Sequence, residues 1–105
     1  MSPDPAAAFA ALGDPTRRQL LEQLARDGPL TATELAPSYP MSRQALTKHL
    51  AALVAAGLVR PRRDGREVRY EVMADHLAAA ATWLSDVGRR WDQRIDALRK
   101  HLEAG

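Results

Sequence analysis

A mainly α-helical domain carrying one small β-hairpin is predicted by three features of the sequence. Residues suited to helix ends recur at short intervals as far as Gly57, and beyond it the apolar spacing falls from about 3.6 to about 2. A proline-free stretch near the end then repeats apolar residues in steps of four and three. The 105 residues, 46% of them hydrophobic, make one domain spanning 1–105, at the small end of what folds alone. A second copy would relieve the shortage of core.

The first helix lies in segment 1–12, contains "FAAL" and stops at Gly13. Asp14 caps a second helix, with Pro15 at the first helical position, where its missing N–H costs nothing. That helix sets Leu20, Leu21 and Leu24 on its core side and runs to "RDG", where Gly28 supplies the left-handed residue. "TATE" is a capping box, Thr31 accepting from the amide three residues on and Glu34 reaching back. The short helix it opens cannot pass Pro37 and Pro40, so "PSYP" is a turn.

Ser42 caps a longer helix that ends at Gly57. Leu46, Leu50, Leu53 and Val54 gather on one side of it, and Gln44, Thr47, Lys48 and Ala51 on the other. Val68, Tyr70 and Val72 then alternate with Glu67, Arg69 and Glu71, and Asp64-Gly65 is a favoured hairpin turn. This order of elements is a winged helix-turn-helix, with 31–57 as the helix-turn-helix and 58–73 as the wing.

Charge is concentrated where that architecture would use it. Residues 1–40 hold three basic and five acidic side chains, residues 41–73 hold seven and three, and residues 74–105 hold five of each. A basic patch in the middle third suits an anionic partner, and for this fold that partner is double-stranded DNA. Base reading is expected from Arg43, Gln44, Thr47 and Lys48 at the start of the recognition helix. Backbone contacts are expected from Ser42 and from Arg62, Arg63 and Arg66 around the wing tip. Arg60 and Arg69 sit lower, where they either touch DNA or face water. His49 lies towards the core edge, packed or bonded to backbone, with a phosphate contact as the alternative.

The terminal helix, 75–103 with Asp75 as its cap, spans roughly 42 Å. Its seam reads Leu77, Ala81, Leu84, Gly88, Trp91, Ile95, Leu98 and Leu102, a heptad pattern longer than so small a domain can cover. The seam is expected to meet a second copy, with the first helix around Phe9 and Leu12 alongside, so that 1–12 and 75–103 form the dimer interface. Gly88 marks either a close approach of two backbones or a break in the helix. Trp83 lies on the shoulder of the seam, packed or lining a pocket.

Other classes fit less well. There is no cysteine, no glycine-rich phosphate loop and no serine-histidine-acid elbow, so an enzyme is not expected. A protein-binding winged helix would not need Arg43, Lys48 and the wing arginines on one surface. The start lacks a basic segment followed by an apolar run, and no stretch reaches the roughly 18 apolar residues of a membrane span, which points to the cytoplasm without membrane attachment.

"FAALGDPTRRQLLEQL", "TATELA", "SRQALTKHLAALVAAGLV", "RRDGREVRYEV" and "WLSDVGRRWDQRIDAL" resemble the successive segments of the ArsR/SmtB repressors. The resemblance covers nearly the whole chain. It implies a homodimeric transcriptional regulator, most often a repressor of its own operon, bound to two inverted half-sites. Many members sense metals through cysteines in the short helix before the turn, or through an Asp-x-His pair with a further His and Glu on the terminal helix. Here the first segment is "TATELAP", and the terminal helix offers Asp86, Asp92, Asp96, His101 and Glu103 without that pair. The expectation is therefore no metal and no cofactor, with a metal-responsive sensor of the same fold as the alternative and the inducer left open.

Overall fold

The computed structural model describes residues 4–104. Helix α1, Pro5–Leu12, begins where the Asp4 carboxylate accepts from the Ala6 N–H at 3.1 Å. Helix α2, Pro15–Asp27, is capped by Asp14, which accepts from the Thr16 and Arg17 amides at 2.8 and 3.3 Å. Gly28 takes φ 84° and turns the chain into strand β1, Leu30–Thr31. Helix α3, Ala32–Leu35, opens on the complete Thr31/Glu34 capping box, and a 3₁₀ turn over Ala36–Ser38 carries the chain past Pro37. The helical path therefore tightens rather than stops at that proline, whose missing N–H sits at a helix start.

Helix α4, Arg43–Ala55, starts at Ser42, whose Oγ accepts from the Ala45 N–H at 3.1 Å. It ends in a Schellman motif, with the Leu58 N–H bonded to Leu53 O at 3.1 Å and the Gly57 N–H to Val54 O at 3.0 Å. Gly57 has the left-handed φ of 76° that this closure requires.

Strands β2, Val59–Asp64, and β3, Glu67–Val72, form the wing, but the sheet has three strands in the order β1-β3-β2, all antiparallel. β1 was not expected from the sequence. It pairs only Leu30 with Tyr70 and Thr31 with Arg69, and two residues carry no alternation to read. The turn also shifts by one residue from the expected Asp64-Gly65. Asp64 pairs with Glu67, leaving Gly65 and Arg66 as the central residues. Gly65 has φ 63°, and no non-glycine among the described residues has positive φ. Glycine at the first central position is the type II′ arrangement, which spares Asp64 a left-handed backbone.

The core is a leucine cluster. Leu20 and Leu24 from α2, Leu35 from α3, Leu46, Leu50 and Leu53 from α4, and Leu58 ahead of the wing are all fully buried. Tyr70 and Val72 pack against its edge, whereas Val68, expected on the same face, is exposed because the hairpin has by then run past the body.

Helix α5, Ala74–Ala104, is continuous for 31 residues, about 46 Å. Asp75 lies inside its first turn rather than at the cap, and the first accepting carbonyl belongs to Met73, bonded to the Leu77 N–H at 3.0 Å. Gly88 does not break it. The His76 Nδ1–H donates to Gly57 O at 2.7 Å, tying the helix start to the end of α4. The rings of Phe9 and Trp83 meet at 5.3 Å, tilted by 47°, so Trp83 is packed on α1. Beyond that contact α5 leaves the body, and the molecule measures 68 × 30 × 20 Å.

Truncating Leu50 to alanine removes a side chain with no solvent exposure from the centre of α4. Urea unfolding is expected to show a loss of about 2–5 kcal/mol.

Candidate nucleic-acid interface

The exposed side of α4 carries the four residues expected to read bases. Arg43, Gln44, Thr47 and Lys48 are all solvent-exposed, while Leu46 and Leu50 anchor the opposite side. The Thr47 hydroxyl donates to Arg43 O at 2.9 Å, which commits its proton and leaves its lone pairs and methyl group for a partner. Ser42 is exposed, with its oxygen engaged as the α4 cap. Ala51 is also exposed and presents no bulk on that side of the helix.

Between α4 and the wing lies a cleft of about 320 Å³. Arg43 and Thr47 line it from the helix, Arg66, Glu67 and Val68 from the hairpin, and Thr33 from α3. Folding thus sets a recognition-helix cation and a wing-tip cation on the walls of one open cavity, although 23 residues separate Arg43 from Arg66 in sequence.

The wing arginines divide into two groups. Arg60 and Arg62 both pair with the Glu71 carboxylate, Arg62 at 3.4 Å. Arg69 donates to Asp64 at 2.9 Å and to Glu34 at 2.8 Å, with Glu67 3.6 Å away. Arg60 and Arg69 are therefore bound by carboxylates within the domain, neither simply facing water nor presenting an open guanidinium. Arg62, grouped from the sequence with the tip residues, is shared with Glu71. Arg63 and Arg66 form no ion pair among the described residues, nor do Arg43 and Lys48. Within α4 and the wing, the positive charge left unpaired lies at the start of α4 and at the wing tip.

His49 is half-buried, and it bonds to a side chain rather than to backbone. Its Nδ1 accepts from Arg17 Nε at 3.3 Å and lies 4.0 Å from the Asp14 carboxylate that caps α2. This contact joins the recognition helix to the start of α2. Burial acts against the Asp14 carboxylate, but the Arg17 and Thr16 amides, with His49 and the Arg17 charge, outweigh it and lower its pKa. The Arg69–Glu34 contact escaped the sequence reading. Glu34 was legible as a capping residue, but only the β1–β3 pairing brings Arg69 to it.

The expected dimer seam is largely uncovered. Leu84, Trp91, Ile95, Leu98 and Leu102 are between 48% and 69% exposed, and Ala81 and Gly88 are exposed with them. Leu77, Phe9 and Leu12 are half-buried where α5 and α1 meet the body. Among the described residues no group of three or more His, Cys, Asp or Glu is placed to hold a metal ion, and no helix is long and apolar enough to cross a membrane.

The Thr31 amide is the main reason that Glu34 ionises below its ordinary pKa of 4.5; some burial opposes it, and the Thr31 hydroxyl and Arg69 add to the lowering. A carboxylate with a lowered folded-state pKa stabilises the fold above its ordinary value, and that contribution is lost as pH falls through the folded value. Chemical unfolding is therefore expected to show stability declining as pH drops below 4.5, less steeply in a Glu34→Gln variant.

A helix-turn-helix domain family matches residues 12–62, the segment from the end of α1 through α4 into β2. The HTH-type transcriptional regulator Rv2034 of Mycobacterium tuberculosis is 41% identical over 103 residues, 98% of this chain and 91% of that protein. A solved ArsR-like transcriptional regulator from Rhodococcus is 43% identical and superposes with a TM-score of 0.79, covering 91% of this chain and 90% of that one. A homodimeric winged helix-turn-helix DNA-binding domain from Mycobacterium bovis is 27% identical with a TM-score of 0.62, covering 84% and 78%. With its helix-turn-helix, its three-stranded wing and this likeness along nearly its whole length, the chain belongs to the ArsR family of DNA-binding transcriptional regulators.

Proposed function

We propose that the protein is a homodimeric, non-enzymatic repressor that binds an inverted-repeat operator in the promoter of its own operon. The observation that carries this reading is the shared cleft, whose walls hold Arg43 and Thr47 of α4 and Arg66 of the wing, with Lys48 and Arg63 exposed near by. α4 enters the major groove, where Arg43 and Lys48 pair with guanine, Gln44 with adenine, and Thr47 with a base or phosphate. Arg63 and Arg66 neutralise phosphates beside it, with Ser42 and Arg62 as weaker backbone contacts because each is partly engaged within the domain.

The uncovered face of α5 supports a dimer. An apolar stripe from Leu84 to Leu102, about half or more exposed at every large residue, is the kind of surface that proteins use for interaction. The Mycobacterium bovis domain of the same fold is homodimeric, which supports a second copy as the occupant. Phe9, Leu12 and Leu77 continue the same surface onto the body. A two-fold pair would then present two recognition helices to major grooves about one DNA turn apart, for half-sites spaced near 10 base pairs.

Footprinting across the promoter of its own operon tests the whole proposal, because site, symmetry and spacing are read together. Gln44→Ala and Thr47→Ala are expected to relax sequence preference, by about 1–3 kcal/mol for a lost bidentate base contact. Arg63→Ala and Arg66→Ala are expected to weaken all sequences alike and to lower the salt slope by about one each. In sedimentation equilibrium Ile95→Glu, in the middle of the stripe, should give monomers and abolish tight operator binding. A monomeric native protein would sink the dimer.

A further inference from the structure

Arg69 occupies an unusual position for a basic residue on a DNA-binding hairpin. Its backbone pairs with Thr31 of β1 on one side and with Arg62 of β2 on the other. Its Nε donates to Asp64 Oδ2 at 2.9 Å, beside the wing turn, and its Nη1 donates to Glu34 Oε1 at 2.8 Å, in the first turn of α3. Nη1 also reaches the Pro29 carbonyl at 3.5 Å, and Nη2 lies 3.6 Å from Glu67 Oε2. All three guanidinium nitrogens thus face acceptors of the domain itself, which leaves no open fork for a phosphate.

The acceptor on α3 has a second duty. Glu34 Oε1 also accepts from the Thr31 N–H at 3.1 Å, so one carboxylate oxygen serves the capping box of α3 and the guanidinium on β3. The backbone link between wing and helix-turn-helix is short, because β1 contributes only Leu30 and Thr31. Beyond those two ladder pairs the hairpin's two six-residue strands extend to an exposed tip. The planar guanidinium bridges from Glu34 on α3 to Asp64 on the wing, and Asp64 immediately precedes the Gly65-Arg66 turn. It also compensates Asp64 and Glu67, two acids paired directly across the strands next to Arg63 and Arg66.

We propose that Arg69 is a positioning residue for DNA binding: held by Glu34 and Asp64, it fixes the angle of the wing so that Arg63 and Arg66 are presented beside the start of α4. The proposal rests on the reading of Arg63 and Arg66 as the phosphate contacts of the wing. It makes Glu34, an acidic residue on a DNA-facing domain, favourable for binding. Coulomb attraction alone gives the opposite sign, since removing an acid beside a basic patch draws phosphates closer.

The experiment uses the full chain and the operator fragment found by footprinting. Affinity and its salt dependence are measured by fluorescence anisotropy, with thermal unfolding alongside. Arg69→Gln and Glu34→Gln are expected each to weaken binding by about three- to tenfold, and the two together to do no more than Arg69→Gln alone. Neither should weaken binding further once Arg63→Ala and Arg66→Ala are present. Glutamine at 34 keeps an acceptor for the capping box, so this variant folds even if Arg69→Gln does not. Tighter or unchanged binding by Glu34→Gln would overturn the proposal, as would a full additional loss from Arg69→Gln in the Arg63/Arg66 background. Unchanged affinity in the Arg63/Arg66 variant itself would remove the underlying reading, and the proposal with it. A weakened tip variant beside an unaffected Glu34→Gln would remove the proposal alone.

Discussion

Seven fully buried leucines, contributed by α2, α3, α4 and the residue leading into the wing, hold the exposed basic and polar groups of α4 and the wing at fixed distances from one another. Leu46, Leu50 and Leu53 fix the rotation of α4, and that rotation decides that Arg43, Gln44, Thr47 and Lys48 point outward. Leu58 and Val59 bring the wing off the same cluster, so hairpin and α4 share one rigid origin. Close packing tolerates little movement at such a junction. A shift of α4 would carry its exposed polar side and the base of the wing together.

On that frame, charge is partitioned rather than merely accumulated. Glu71 takes up Arg60 and Arg62, and Glu34, Asp64 and Glu67 take up Arg69. Such exposed pairs contribute little to stability one by one. Their effect is on direction: they remove positive charge from the flanks of the hairpin and leave it at the tip and along α4. The same economy appears at His49 and Arg17, where a basic side chain is turned inward to brace two helices near the Asp14 cap.

The size of the domain sets the other constraint. The leucine cluster is saturated by α1 to α4 and the base of the wing, and Ala80 is the only residue of α5 that it buries among those described. Phe9 and Trp83 close the gap between α1 and the first turns of α5, after which the helix runs on with its apolar face open. A face of that length is as much a product of the small core as the core itself, because a short chain that spends a third of its residues on one helix has none left to cover it.

Much of this was written in local patterns. Asp14-Pro15, the Thr31/Glu34 box, Ser42 and Gly57 each act on backbone groups within a few residues, so their roles are readable without knowing the fold, and the structure places each as expected. The leucine spacing of α4 likewise announced which side would be buried. Asp75 failed as a cap because a helix start depends on where the preceding strand releases the chain, here at Met73. The wing turn moved to Gly65-Arg66 because strand register, set by the pairing of Val59 with Val72 onward, chose which residue needed the positive φ. Tertiary structure alone decided β1, and with it the fate of Arg69. A two-residue strand has no period, and a guanidinium on an outward-facing position looks the same in sequence whether it meets solvent, phosphate or Glu34, 35 residues away. Local hydrogen bonding and side-chain periodicity are properties of the chain. The choice of partner for a long charged side chain is a property of the space into which the chain folds.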